Sequence, residues 1–254
     1  ASRVTVRPAA EADALATIPV VFEGVPEIPH LKRAALADAA SRMAPDAILA
    51  STTSTISVED LAPAVPHPAR FLNAHWLNPA YLIPLIEVSP GRATDGAVTA
   101  RLMALLDSIG KIPVRCAPSP GFIVPRIQAL AMNEAARLVE EGVATAEDVD
   151  RALRYGFGFR FGVLGVLEFI DWGGADILHH ASRYLESATG EARYRAPAII
   201  GRHMAEGRLG MGTGSGFLPW AEMDIAAHKR RRLGELIGRL RVEGLARPPV
   251  LPAG

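Results

Sequence analysis

The chain has 254 residues, 49% of them hydrophobic and 21% charged, and its 27 basic and 27 acidic side chains give a formal net charge of zero. That balance points away from nucleic acid and from an acidic membrane surface, and no run of about 18 apolar residues offers a membrane span. The length allows one large domain or two ordinary ones, and the single cysteine, Cys116, excludes an internal disulfide framework and fits a reducing, cytoplasmic compartment.

Val4-Thr5-Val6 reads as a short strand, flanked by Arg3 and Arg7 rather than by the apolar core of a signal peptide. A brief helix from Glu11 to Leu15 follows, then a buried strand over Ile18 to Glu23 that ends at Gly24. The spacing of Leu31, Ala34, Ala35 and Ala39 predicts a helix from about Ile28 to Met43. Ala47 to Ala50 is a further short strand, and the hydroxyl-rich run Ser51 to Thr55 sits at its carboxyl end, where open α/β sheets bind ligands. Ser57 caps a short helix with Glu59 and Asp60 in its first turn. Two apolar runs, Arg70 to Leu77 and Pro84 to Val88, flank an Asn78-Pro79 turn, and Thr94 to Ile109 is an amphipathic helix stopped by Gly110. Ile112 to Cys116 is the last strand, and Cys116 reads as a core residue. Strands alternating with helices predict a parallel sheet covered on both faces.

Past Pro118-Ser119-Pro120-Gly121 the pattern becomes helical: Phe122 to Glu141, a helix capped at Thr145, Asp171 to Leu185, Pro197 to Glu206, and Trp220 to Val242, ending before Pro248-Pro249. The expected architecture is therefore α/β over residues 1–117, followed by an all-helical part over 118–254. Two glycine-rich stretches, Tyr155 to Gly162 and Leu209 to Gly216, lack the preceding strand that a dinucleotide fingerprint requires and read as helix–helix connections. Lys229-Arg230-Arg231-Arg232 reads as a solvated helix face, and Trp172 and Trp220 as packing residues.

His75 ends one apolar run and Glu87 lies in the next. Adjacent strands stand about 5 Å apart, so the two can meet across the turn. A carboxylate on one imidazole nitrogen fixes the tautomer and leaves the other nitrogen as a base. A satisfied strand-end histidine and a surface glutamate would leave the same pattern, so spacing alone does not decide. Ser54, at a strand end, supplies a hydroxyl for a substrate oxygen or merely a turn. Together these residues suggest acid–base chemistry where the two parts meet.

In order, the pieces resemble the 3-hydroxyacyl-CoA dehydrogenase family from about Val20 to Gly216. The resemblance rests on Val20-Val21-Phe22-Glu23-Gly24-Val25-Pro26-Glu27, Ile48 to Ser54, Asn73-Ala74-His75-Trp76-Leu77-Asn78-Pro79 and Leu85-Ile86-Glu87-Val88. It continues through Pro120-Gly121-Phe122-Ile123-Val124, Asn133-Glu134-Ala135, Glu140 to Val143 and Gly207 to Gly210. It implies a partial Rossmann-type NAD domain, a C-terminal helical substrate and dimerisation domain, and NAD-linked oxidation of a 3-hydroxyacyl thioester in fatty acid metabolism. His75 would be the base, Glu87 its orienting partner and Ser54 a donor to the reacting oxygen. Glu27, Lys32, Ser54 and Asn78 match positions that contact the cofactor; no metal is implied. The implied partners are a small-molecule substrate and a second copy of the chain.

The departures from the family pattern are specific. The chain enters it about two strand–helix units late, roughly 60 residues at about 30 per unit, without the glycine-rich turn, so a partly represented protein is expected. Pro125 stands where an Asn is usual, Thr52 replaces an Asn, and Gly210-Met211 falls where a lysine is common. These leave a free hydroxy acid open as the substrate in place of a CoA thioester. A non-catalytic helical dimerisation protein also remains open if the glycine-rich segment is truly lacking.

Overall fold

The computed structural model describes Thr5, Val6, Pro8 and residues 12–247. Arg3, Val4, Arg7, Glu11 and Pro248-Pro249, which figure in the terminal expectations above, lie outside the described residues. Ala12–Thr17 forms a 3-10 helix. Contacts group the chain into two compact units, residues 1–137 and 138–254.

The first unit holds β1 (Val20–Glu23), α1 (Pro29–Arg42), β2 (Ile48–Ser51), α2 (Val58–Leu61), β3 (Phe71–Trp76), β4 (Leu85–Pro90), α3 (Gly96–Ser108) and β5 (Ile112–Arg115). α4 (Val124–Glu140) runs across the division. The five strands lie side by side in chain order. β1, β2 and β3 are parallel, as are β4 and β5, but β3 and β4 are antiparallel. The all-parallel expectation fails at that one ladder because the residues between β3 and β4 form no helix. A parallel crossover needs a dozen or more residues, usually helical.

Strand alternation splits the core. One face sets Ile48, Ala50, Leu72, Ala74, Ile86 and Val88 against Leu102 and Leu106 of α3. The other sets Leu49 and Phe71 against Leu36 of α1 and against Val58, Leu61 and Val65. Full burial of each large aliphatic side chain contributes about 1.5–3 kcal/mol. Farther along the strands this second face turns polar. Register aligns Glu23, Ser51, Asn73 and Ser89 in one row across four strands, and pairs His75 with Glu87 on the same face.

The second unit contains α5 (Ala146–Ala152), α6 (Phe159–Phe161), α7 (Val166–Gly173), α8 (Ala175–Thr189), α9 (Ala198–Ala205) and α10 (Ile225–Val242). Thr145 caps α5, its hydroxyl accepting from the Asp148 amide at 3.1 Å. The first glycine-rich stretch is not a connection. Leu153–Gly158 is wound as a π-helix leading straight into α6. The expected helix from Asp171 to Leu185 is interrupted at Gly174, whose φ of 114° ends α7 and begins α8.

The second glycine-rich stretch does connect helices, and close packing explains its glycines. The Asp171 side chain, 1% exposed, accepts from the Phe217 amide at 2.9 Å, the Leu218 amide at 2.8 Å and Trp220 Nε1 at 2.8 Å. A Cβ on Gly216 would stand 2.2 Å from Asp171 Oδ1, and one on Gly210 2.3 Å from the Asp171 carbonyl. The basic run of α10 is only partly solvated. Arg232 bonds Glu168 at 2.9 Å, and Lys229 lies 5.1 Å over the Trp172 ring.

Candidate active site

His75 and Glu87 face each other across the β3–β4 ladder, with Nδ1 and Oε2 2.7 Å apart. Both are buried, Glu87 completely. Glu87 Oε1 accepts from the amides of Ile123 at 2.9 Å and Val124 at 2.8 Å. These amides open α4, where the first N–H groups lack intrahelical partners and the helix dipole favours an anion. With Oε1 occupied by two donors, Oε2 is left to accept an imidazole Nδ1–H, an arrangement that in a neutral ring leaves the lone pair on Nε2.

The chain reaches this position through a left-handed turn. Gly121 has φ 74° and Phe122 φ 46°. Positive φ is uncommon for an aromatic residue and marks a position held by its surroundings. Here the buried Phe122 ring stacks on His75, centroids 5.5 Å apart. Pro125 falls in the first turn of α4, where its missing N–H and fixed φ suit the helix.

Ser54 lies exposed in the loop after β2. That loop wraps Glu27, whose Oε1 accepts from Thr53 Oγ1 at 2.5 Å, the Ser54 amide at 3.0 Å and the Thr55 amide at 3.1 Å. Burial disfavours the Glu27 charge, but the Thr53 hydroxyl, the Thr55 amide, the Lys32 ammonium and the Ser54 amide together hold its carboxyl below the ordinary value. Lys32 is 1% exposed, with Nζ 3.1 Å from Glu23 Oε1, 3.1 Å from the Val25 carbonyl and 3.4 Å from Glu27 Oε2. A buried ammonium needs such pairing. Asn78 is exposed in the turn after β3.

The structure thus joins His75 to Glu87, and joins the Ser54 loop to Glu27 and Lys32. A backbone bond links the two groups, the Gly121 amide donating to the Thr55 carbonyl at 3.3 Å. Sequence reasoning missed the Ile123 and Val124 amides and the carboxylate of Glu23. Only the Pro-Gly turn before α4 hinted at the first. Cys116 is half-buried: burial raises its thiol pKa, a Ser89 hydrogen bond opposes this, and the Glu87 charge raises it further, so it is a poor thiolate. Among the described residues no group of three or more His, Cys, Asp or Glu side chains is placed to hold a metal ion, and no helix is long and apolar enough to cross a membrane.

Residues 2–119 match the family model of the 3-hydroxyacyl-CoA dehydrogenase NAD binding domain, and residues 121–220 match that of its C-terminal domain. The chain belongs to the 3-hydroxyacyl-CoA dehydrogenase family. A 3-hydroxyadipyl-CoA dehydrogenase of Escherichia coli is 36% identical over 84% of this chain, which spans only 44% of that relative's length. A 5-formyl-3-hydroxy-2-methylpyridine 4-carboxylate 5-dehydrogenase of Mesorhizobium japonicum is 30% identical over 91% of this chain and 74% of its own. The solved 3-hydroxyacyl-CoA dehydrogenase of Archaeoglobus fulgidus superposes with a TM-score of 0.77 at 32% identity, covering 89% of this chain and 77% of that one. The architecture is that of the family: a mostly parallel, Rossmann-like part followed by helices.

The exposed Ser54 hydroxyl, at the carboxyl end of a parallel strand beside a Lys–Glu pair, fits a polar nicotinamide–ribose cofactor.

Proposed function

We propose that the protein is an NAD-dependent oxidoreductase that converts a 3-hydroxyacyl-CoA to the 3-oxoacyl-CoA. The observation that carries this reading is the His75–Glu87 pair backed by the two α4 amides. His75 Nε2 takes the proton of the 3-hydroxyl. Glu87 keeps the ring in the tautomer that can do so and stabilises the resulting cation, the logic of the carboxylate in a catalytic triad. The Ser54 hydroxyl donates to the reacting oxygen. NAD, when bound, supplies the acceptor for the hydride that leaves the same carbon. Glu27, Lys32, Ser54 and Asn78 would hold it. We assign residues 1–117 to the cofactor part and 118–254 to a helical substrate part through which two copies pair.

The test is oxidation of NADH by acetoacetyl-CoA, using protein expressed from its whole coding sequence. General acid–base help of this kind is worth roughly 10²–10⁴-fold, so His75→Ala should lower kcat by that range. No turnover by the unaltered protein, or equal turnover by the variant, removes the reading. The Mesorhizobium relative, named for a substrate without CoA, favours a second reading, a substrate free of CoA, such as a hydroxy acid, on the same site. Turnover of small hydroxy acids with NAD, without CoA, separates the two.

A further inference from the structure

Asn73 lies two residues before His75 on β3, so both side chains leave the same face of the sheet. Asn73 is completely buried. Its Nδ2 donates to the Ile56 carbonyl at 2.9 Å, at the end of the loop whose middle residue is Ser54. The same loop is tied by Glu27 Oε1, by Thr53 Oγ1 accepting from the Ile56 amide at 3.0 Å, and by the Gly121 amide.

The other half of the Asn73 side chain has no such use. Its Oδ1 is buried without a hydrogen-bond partner. A buried unpaired acceptor costs stability, and the neighbouring row on this face is apolar, with Leu49 and Phe71 in register. What the amide contributes is the fastening of the Ser54 loop to the strand that carries the candidate base.

We infer that Asn73 is a positioning residue, which fixes the Ser54 hydroxyl for the reacting oxygen by holding the Ile56 carbonyl. The inference rests on the dehydrogenase reading. It is tested with Asn73→Leu in the whole protein, alone and combined with Ser54→Ala. One neutral hydrogen bond is worth up to about tenfold in rate. Asn73→Leu should lower kcat with acetoacetyl-CoA about that much and keep the melting temperature within a few degrees. In the Ser54→Ala background the same change should alter kcat less than about twofold, because the group being positioned is gone.

Amide hydrogen exchange gives a readout independent of activity: the Ser54 and Thr55 amides should exchange about tenfold faster in Asn73→Leu. Full additivity of the two kcat effects, or unchanged exchange at Ser54 and Thr55, overturns the inference. Absence of turnover from the unaltered protein sinks the dehydrogenase reading alone, and the exchange result then decides the fastening. If Asn73→Leu fails to fold, Asn73→Ala, which adds no bulk, takes its place in both measurements.

Discussion

At Glu87 one carboxylate serves an imidazole and two backbone amides, and the division of labour between its oxygens makes Glu87→Gln informative. The glutamine oxygen satisfies the Ile123 and Val124 amides, so its NH₂ faces His75 Nδ1 and drives the ring proton to Nε2. The fold survives and the base is lost. The kcat should fall by on the order of 10²–10⁴, with nitrogen NMR reporting the inverted tautomer; a kcat within threefold of wild type sinks the role. Glu27 gives a different signature. Its folded pKa lies below the ordinary value, so it contributes stability above the ordinary carboxylate range, and that contribution is lost as pH falls through the lowered value. Its side chain is 39% exposed, so solvent screens the effect. Relative to Glu27→Gln, the wild type should melt a few degrees higher near neutral pH, and the gap should close as pH falls below about 4. A gap that persists through the acid limb contradicts this account.

At the scale of elements, the second glycine-rich connection makes a contrast within one loop. Gly216→Ala would drive a methyl into the buried Asp171 carboxylate, whereas a Cβ on Gly212 meets nothing within 4 Å. Overpacking of this kind costs about 1–3 kcal/mol. Urea unfolding should show Gly216→Ala losing that much and Gly212→Ala nearly nothing; equal midpoints would return the loop to a merely flexible connection. From composition these glycines look alike, which is why the sequence could not separate them. Elements with local punctuation were readable: Ser57 and Thr145 bond the first amides of their helices, and Gly110 follows α3 with φ 80°. The meeting of His75 with Glu87 was readable because only a short helix-free turn separates their strands. Glu87's other partners are backbone amides 36 and 37 positions away, and backbone donors leave no mark in a sequence. Asn73 was unreadable for a related reason: its partner is the carbonyl of Ile56, so the side chain looks like any polar residue in a strand.

On the scale of the whole molecule, α4 is where the two descriptions of the chain differ. The family models meet between residues 119 and 121, before the helix begins, whereas contacts divide the chain inside it at residue 137. α4 has no buried residue along its length, yet Ile123, Ile127 and Leu130 recur at helical spacing and stand 41%, 49% and 67% exposed. An apolar stripe beginning beside the Glu87 contacts needs a cover, and the pairing of two copies proposed above supplies one. Leu130 tests this cleanly, because its exposure keeps it out of the chain's own core. Leu130→Glu places a charge at the end of the stripe, where burial without a partner is strongly unfavourable. Sedimentation velocity should show the wild type as a dimer and Leu130→Glu as a monomer, with unchanged helical circular dichroism. A monomeric wild type, or a variant that sediments like it, would mean that α4 is not where copies of this chain meet.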